Sequence, residues 1–214
     1  MVIVGARAGA EEKHMDEGKQ IRAPRAPFTD DGNDAVLLER IVAGDREAFR
    51  ELYTLYYQPL LRFIYRLTGQ LELAQEGVND VMLVVWRNGR SFGGRSKVST
   101  WIMGIAYHRA LKLAEKNRRW WGRLAPVDFD DWIERPESAE EHTDQAELRD
   151  SLDHALRRLS PEHRAVVELT YFHGCSYEEI AVIADCPVNT VKTRMFHARA
   201  KLKKLLPELG KAEL

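Results

Sequence analysis

Cysteine is nearly missing from this chain: only Cys175 and Cys186 carry a thiol among 214 residues. Two cysteines cannot staple a small secreted fold, so a reducing setting and cores held by packing are expected. Long apolar runs are missing too, since no stretch reaches the roughly 18 residues that a membrane-spanning helix needs. The opening MVIVGARAGA is apolar but short and has no charged leading region, which argues against a signal peptide and for a soluble, cytoplasmic protein without membrane insertion. Net charge is close to zero, with 32 Lys and Arg against 33 Asp and Glu, so the chain as a whole is not built to coat nucleic acid indiscriminately. Metal-ligand spacing is also wanting. His173, Cys175 and Cys186 match no zinc signature and lack a fourth ligand, so neither a metal nor another cofactor is expected.

What the chain does have is helical periodicity and a very uneven local charge. Residues 1–32 mix Gly, Ala, Pro and charge without periodicity and read as a disordered extension. A helical domain is expected over 33–118. Asn33 caps a helix through Val36, Leu37, Ile41 and Val42, and Asp45 caps a second with Phe49, Leu52, Leu55, Tyr56, Leu60, Phe63, Ile64 and Leu67 inward, kinked or broken at Pro59. A third helix covers Leu71 to Asn88 and a fourth runs from Ser99 to about Asn117. Between them, Gly89 to Lys97 holds three glycines and three basic residues. From Arg87 to Arg123 ten Lys or Arg face the single acid Glu115, with Phe92, Trp101, Tyr107, Trp120 and Trp121 interleaved. Basic charge among aromatics suits unstacked bases on a polyanion.

The next segment, 119–144, reads as an acidic linker: Leu124 to Asp150 carries ten acids against Arg135 and Arg149. An extended acidic segment mimics nucleic acid and suits a basic channel, although an ordinary tether has the same composition. A second domain is expected over 145–208, with 209–214 as a tail. Gln145 to Leu159 forms a helix, Ser160-Pro161 caps and starts the next, and Val166, Val167, Leu169 and Phe172 turn inward.

Ser176 to Leu206 is the best-defined stretch. Ser176 and Glu179 form an S-x-x-E capping box for a short helix through Ile180, Ala181 and Ile183, which Asp185, Cys186 and Pro187 end. Val191, Met195, Ala198, Leu202 and Leu205 then mark one face of a second helix, while no acid occurs from Pro187 to Leu206. Two helices, a tight turn and an acid-free second helix specify a helix-turn-helix whose second helix enters a major groove.

EEIAVIADCPVNTVKTRMFHARAKLKKLL resembles the promoter-reading domain of bacterial sigma factors, extracytoplasmic-function (ECF) group of the sigma-70 family; Thr190, Val191, Lys192, Thr193, Arg194, Ala198 and Arg199 match its T-V-K/R-S/T-R-x-x-x-A-R pattern. DREAFRELYTLYYQPLLRFIYRLTG, AQEGVNDVMLVVWRN and STWIMGIAYHRALKLAEKNRR are similar to that family's polymerase-binding and promoter-melting regions, in order. The resemblance implies an all-α fold of two small helical domains, a region 2-like bundle and a region 4-like helix-turn-helix, joined by an acidic flexible linker.

The resemblance also implies partners and sites: core RNA polymerase (its beta-prime clamp helices and beta flap), promoter DNA and an anti-sigma factor. Asn79, Asp80, Leu83 and Trp86 then fall on polymerase. Arg90, Ser91, Arg95, Ser96, Lys97, Trp101, His108 and Arg109 fall on the minus-ten element, where a base is flipped into the loop. Thr190, Lys192, Thr193, Arg194, Phe196, His197, Arg199 and Lys201 fall on the minus-thirty-five element. The docking helix departs from the family at Gln75, Glu76, Asn79 and Met82, and His197 stands where Arg is frequent, which makes that contact sensitive to pH.

Two other readings bear weighing. A stand-alone helix-turn-helix regulator would need a dimerisation or ligand-sensing first half, and none is visible. A nuclease or metal hydrolase would need clustered carboxylates or ligand-spaced His and Cys on the basic surface, which offers only Glu115 and His108. No catalytic residues are expected.

Overall fold

The structure is a computed structural model and describes residues 31–121 and 151–206. Every regular element among the described residues is helical. The first half comprises α1 (Asp31–Val42), α2 (Arg46–Thr68), α3 (Leu71–Asn88), a short 3-10 turn (Gly89–Ser91) and α4 (Val98–Trp121). The second half comprises α5 (151–157), α6 (Pro161–Tyr171), α7 (Tyr177–Ile183) and α8 (Val188–Leu205). Residues 1–30, 122–150 and 207–214, where the extension, most of the acidic linker and the tail are expected, lie outside the described residues, and α4 runs on to Trp121, into the first residues of the expected linker.

Local chemistry sets the helix ends. The Asp45 carboxylate accepts from the Glu47 and Ala48 amides at 2.8 and 3.1 Å, and Gly69 closes α2 in the left-handed region at φ +72°. Ser160 accepts from the His163 amide, with Pro161 at the first helical position of α6. Helix α1 begins at Asp31, two residues before the expected cap at Asn33. Helix α2 runs unbroken through Pro59. Leu55, whose carbonyl loses its donor to the proline, is 50% exposed rather than buried, so that side of the helix meets solvent.

Helices α2, α3 and α4 form the first core around Tyr56, Phe63, Ile64, Met82, Ile102 and Met103. Gly77 allows their close approach: a Cβ there would stand 3.1 Å from Ile64 and Leu113 side-chain atoms. Tyr56 donates to the Asp34 carboxylate inside the core and fixes α1 on α2. In the second half Leu156, Leu159, Val166, Leu169, Ile180, Ile183, Val191 and Met195 are buried, whereas Phe172 is 39% exposed and lies under an arginine, contrary to the sequence expectation. The buried residues of both halves form one continuous cluster, with α7 and α6 packed on α4 and α6 on α2.

Candidate nucleic-acid interface and apolar groove

The helix-turn-helix is built by short-range bonds. Ser176 Oγ accepts from the Glu179 amide at 3.1 Å, and Glu179 Oε2 accepts from the Ser176 amide at 2.9 Å. Burial works against the charged Glu179 carboxyl, but the bonds from Ser176 and the Lys97 ammonium outweigh it and hold the group below the usual carboxylate range. The turn closes through Asp185 at φ +47° and a bond from the Cys186 amide to the Ala181 carbonyl at 3.0 Å.

On α8, Val191, Met195 and Ala198 face inward, and Asn189, Lys192, Thr193 and Phe196 form an exposed stripe opposite, with Phe196 68% exposed. Asn189 is a member of this stripe that the motif match passed over; its exposure one turn before Lys192 is the signal that places it there. Three other candidates are engaged within the chain. Arg194 donates to the Tyr107 hydroxyl at 3.2 Å, Arg199 to the Tyr171 hydroxyl at 2.7 Å, and the Lys201 ammonium to the Arg158 carbonyl. Thr190 is half-buried, and His197 is exposed with its ring 6.1 Å from His163. Burial, then the neighbouring His197, hold His163 below the usual histidine range.

The glycine-rich loop puts Arg90, Ser91 and Arg95 in solvent, with Gly94 at φ +64° to turn the chain. Phe92 packs against half-buried Trp101 with ring centres 5.5 Å apart. Ser96 is half-buried beside Lys97, whose ammonium lies 3.1 Å from Glu179. His108 is exposed, but Arg109 is tied to Glu76 at 3.1 Å and to Asp80.

A cleft of about 620 Å³ lies between α2 and α3, lined by Arg46, Phe49, Arg50, Tyr53, Asn79, Met82, Leu83 and Trp86. Three of the four polymerase candidates therefore share one groove, while Asp80 faces α4. Tyr53 donates to Asn79 Oδ1 at 2.9 Å, and Phe49 meets Trp86 edge-on at 5.1 Å. Burial and neighbouring Tyr57 raise the Tyr53 hydroxyl pKa, so it remains a neutral donor. The α2 side of the groove escaped the sequence reading, because Phe49 looks like core until its half-exposed position is known. Among the described residues no group of three or more His, Cys, Asp or Glu could hold a metal ion, and no helix is long and apolar enough to cross a membrane.

A basic, glycine-rich loop on one helical bundle and an acid-free helix on a second define a two-part, all-helical nucleic-acid-binding protein. Comparison with known proteins narrows the class. Residues 52–120 match the family described as Sigma-70 region 2, and residues 149–202 match Sigma-70, region 4. The RNA polymerase sigma-H factor of Pseudomonas aeruginosa is 32% identical over 189 residues, covering 82% of this chain and 95% of that protein. The ECF RNA polymerase sigma-E factor of Escherichia coli is 30% identical over 177 residues, covering 78% and 90%. Among solved structures, CnrH in complex with the cytosolic domain of CnrY shares the fold at a TM-score of 0.61 and 20% identity, covering 82% of this chain and 98% of that one. The sigma factor RpoE in complex with the anti-sigma factor NepR from Bartonella quintana does so at 0.58 and 24%, covering 74% and 96%.

The chain belongs to the sigma-70 family of bacterial RNA polymerase sigma factors, in its extracytoplasmic-function group. It binds core RNA polymerase, recognises the minus-thirty-five and minus-ten promoter elements and promotes strand opening at initiation. None of these similarities favours the stand-alone regulator.

Proposed function

We propose how this chain divides that work among its residues. The groove between α2 and α3 takes the polymerase clamp helices, with Asn79, Leu83 and Trp86 contributed by α3 and Phe49 and Tyr53 by α2. Asp80 braces α3 through Arg109 and supports that surface from behind. Arg90, Arg95 and Lys97 hold the displaced strand at the minus-ten element, and the loop with Ser91, Ser96 and Trp101 pockets a flipped base; His108 stands at the edge of this surface. On α8, Lys192, Thr193 and Phe196 face the major groove of the minus-thirty-five element together with Asn189. Thr190 and His197 flank that face, and Arg194, Arg199 and Lys201 meet phosphates once their internal bonds are exchanged. The units are 33–118 for polymerase and melting and 145–208 for duplex reading, with 119–144 between them.

The observation that carries this reading is the coexistence of an exposed stripe on an acid-free helix, in a capped helix-turn-helix, with an aromatic-walled groove on a separate bundle. The protein catalyses nothing itself and works in the cytoplasm, where polymerase and promoters are. An anti-sigma factor is its expected regulator, supported by the complexes in which its structural neighbours were solved.

Run-off transcription from genomic fragments with core polymerase tests the assignment at fixed salt, because phosphate contacts make the outcome depend on ionic strength. Transcripts that require this protein and vanish for Arg95→Ala combined with Lys97→Ala support it. Protein-dependent transcripts that survive both changes would remove the loop from strand opening.

A further inference from the structure

Asn189, Lys192, Thr193 and Phe196 stand at positions i, i+3, i+4 and i+7 of α8, so they form one exposed face opposite buried Val191, Met195 and Ala198. The four differ in how much each can learn from a base edge. Lys192 ends in a single charge on a flexible stem, which meets a phosphate or a guanine with little geometric demand. The Thr193 hydroxyl already donates to the Asn189 carbonyl at 2.9 Å, so its proton is spent inside the helix. Phe196 offers only apolar surface. Asn189 is different, because its side-chain amide holds a donor and an acceptor side by side, and among the described residues neither is engaged.

Position adds to chemistry. Asn189 is the second residue of α8, which starts at Val188 directly after Pro187. The N-terminal residues of a reading helix come nearest to base edges, and a side chain as short as asparagine reaches a base only from there. With no acid from Pro187 to Leu206, nothing on the helix repels the duplex.

We propose that Asn189 is the adenine-selecting residue of this chain: its amide nitrogen donates to N7, and its amide oxygen accepts from the N6 amino group, of one adenine in the minus-thirty-five element. The proposal deepens, and rests on, the placement of α8 on that element. Guanine at the same position is rejected, since it presents the O6 acceptor where adenine presents its donor and leaves the amide oxygen facing another oxygen. The helix also sets where this adenine stands. Phe196 lies two turns farther on the same face, about 10.5 Å along the axis at 1.5 Å per residue. Base pairs follow one another at about 3.4 Å, so the adenine is about three base pairs from the pair that Phe196 touches.

Run-off transcription by holoenzyme, from a fragment that the wild-type protein transcribes and at one salt concentration, is the readout. Each base pair of the minus-thirty-five element is changed in turn, and 7-deazaadenine, which lacks the N7 acceptor but pairs normally, then replaces each adenine. Wild type is expected to reveal one adenine whose change to guanine costs about tenfold and whose 7-deaza replacement costs about fivefold. Asn189→Ala changes an exposed position and is expected to keep Tm within about 1–2 °C of wild type. It should become indifferent to both changes at that adenine while keeping its preferences elsewhere. Asn189→Arg is expected to move the preference at that one position to guanine, because two arginine donors match O6 and N7. A wild type that tolerates 7-deazaadenine at every adenine overturns the proposal without recourse to any variant, and so does an Asn189→Ala whose base preferences match those of wild type. An equal loss at every position in Asn189→Ala would make Asn189 a support for the helix or a phosphate contact, and overturns it too. Absence of any transcript from wild-type holoenzyme would instead overturn the sigma-factor assignment.

Discussion

Asp80 and Arg109 form an ion pair across the contact between α3 and α4, and Glu76 supplies a second carboxylate to the same guanidinium at 3.1 Å. The arrangement ties the side of α3 that faces away from the groove to the helix that carries Trp101. All three side chains are about a third to a half exposed, so solvent discounts the pair. Arg109→Ala is expected to cost about 1 kcal/mol, a loss of about 2–4 °C in Tm. Thermal unfolding followed by circular dichroism measures it. An unchanged Tm accompanied by tenfold weaker binding of a minus-ten single strand would instead return Arg109 to the DNA.

Glu168 and His173 give the joint between the halves opposing responses to pH. Burial pushes the Glu168 carboxyl up to about 7 from 4.5, with Arg66 pulling the other way. The folded state then binds the proton more tightly than the unfolded one, so Glu168 favours folding at low pH and loses that contribution as pH rises from about 4.5 to 7. Burial lowers His173 to about 4 from 6.5, so its contribution is present above 6.5 and is lost as pH falls toward 4. The two nearly cancel in wild type between those limits. Glu168→Gln removes one of them, and its stability relative to wild type is expected to be higher at pH 8 than at pH 5, by on the order of 1–3 kcal/mol. Denaturant titrations at the two pH values check the sign; equal differences at both would place Glu168 in water.

The local signals for this fold were plain in the sequence and the long-range ones were not. Asp45, Ser160-Pro161 and the Ser176–Glu179 box each announce a helix start through bonds spanning three residues or fewer, and each is found as expected. Leu55 misled because its spacing from Leu52 and Phe63 suits a buried stripe on a helix that turns it outward. The joint could not be read at all: Arg66 and Glu168 are 102 residues apart, and neither is unusual in composition. Lys97 and Arg194 were legible as members of basic stretches, but their partners Glu179 and Tyr107 depend on how two bundles meet. The groove was half legible, because the α3 residues follow a motif and the α2 aromatics look like ordinary core.

Leu83 tests the groove without disturbing the fold. It is 43% exposed on α3, at the lip between Asn79 and Trp86. An arginine there keeps helix propensity and places a charge where an apolar partner surface would settle. Leu83→Arg is expected to change stability by less than about 0.5 kcal/mol. Its affinity for core polymerase should fall at least tenfold, about 1.4 kcal/mol or more. Competition against wild-type protein for limiting core enzyme, scored by run-off transcript, reads this directly, and full competitiveness would remove Leu83 from the interface.

Met195 and Phe196 are adjacent in sequence and opposite in role, which makes them a matched pair on the reading helix. Met195 is 2% exposed and packs in the second core, so Met195→Ala is expected to cost about 2–5 kcal/mol and to weaken DNA binding only through loss of the fold. Phe196 is 68% exposed and contributes little to that core. Phe196→Ala should leave Tm within about 1–2 °C of wild type. Apolar contact with a thymine methyl group is among the ways a major groove is read, and loss of a base contact costs about 1–3 kcal/mol of discrimination. Holoenzyme carrying Phe196→Ala is therefore expected to discriminate a promoter from a version altered in the minus-thirty-five element about tenfold less well, with its salt dependence unchanged because no phosphate contact is lost. Footprinting on the two fragments over a range of salt separates the outcomes: a changed salt slope would mean that α8 has shifted on the duplex, and unchanged discrimination would put Phe196 outside the groove.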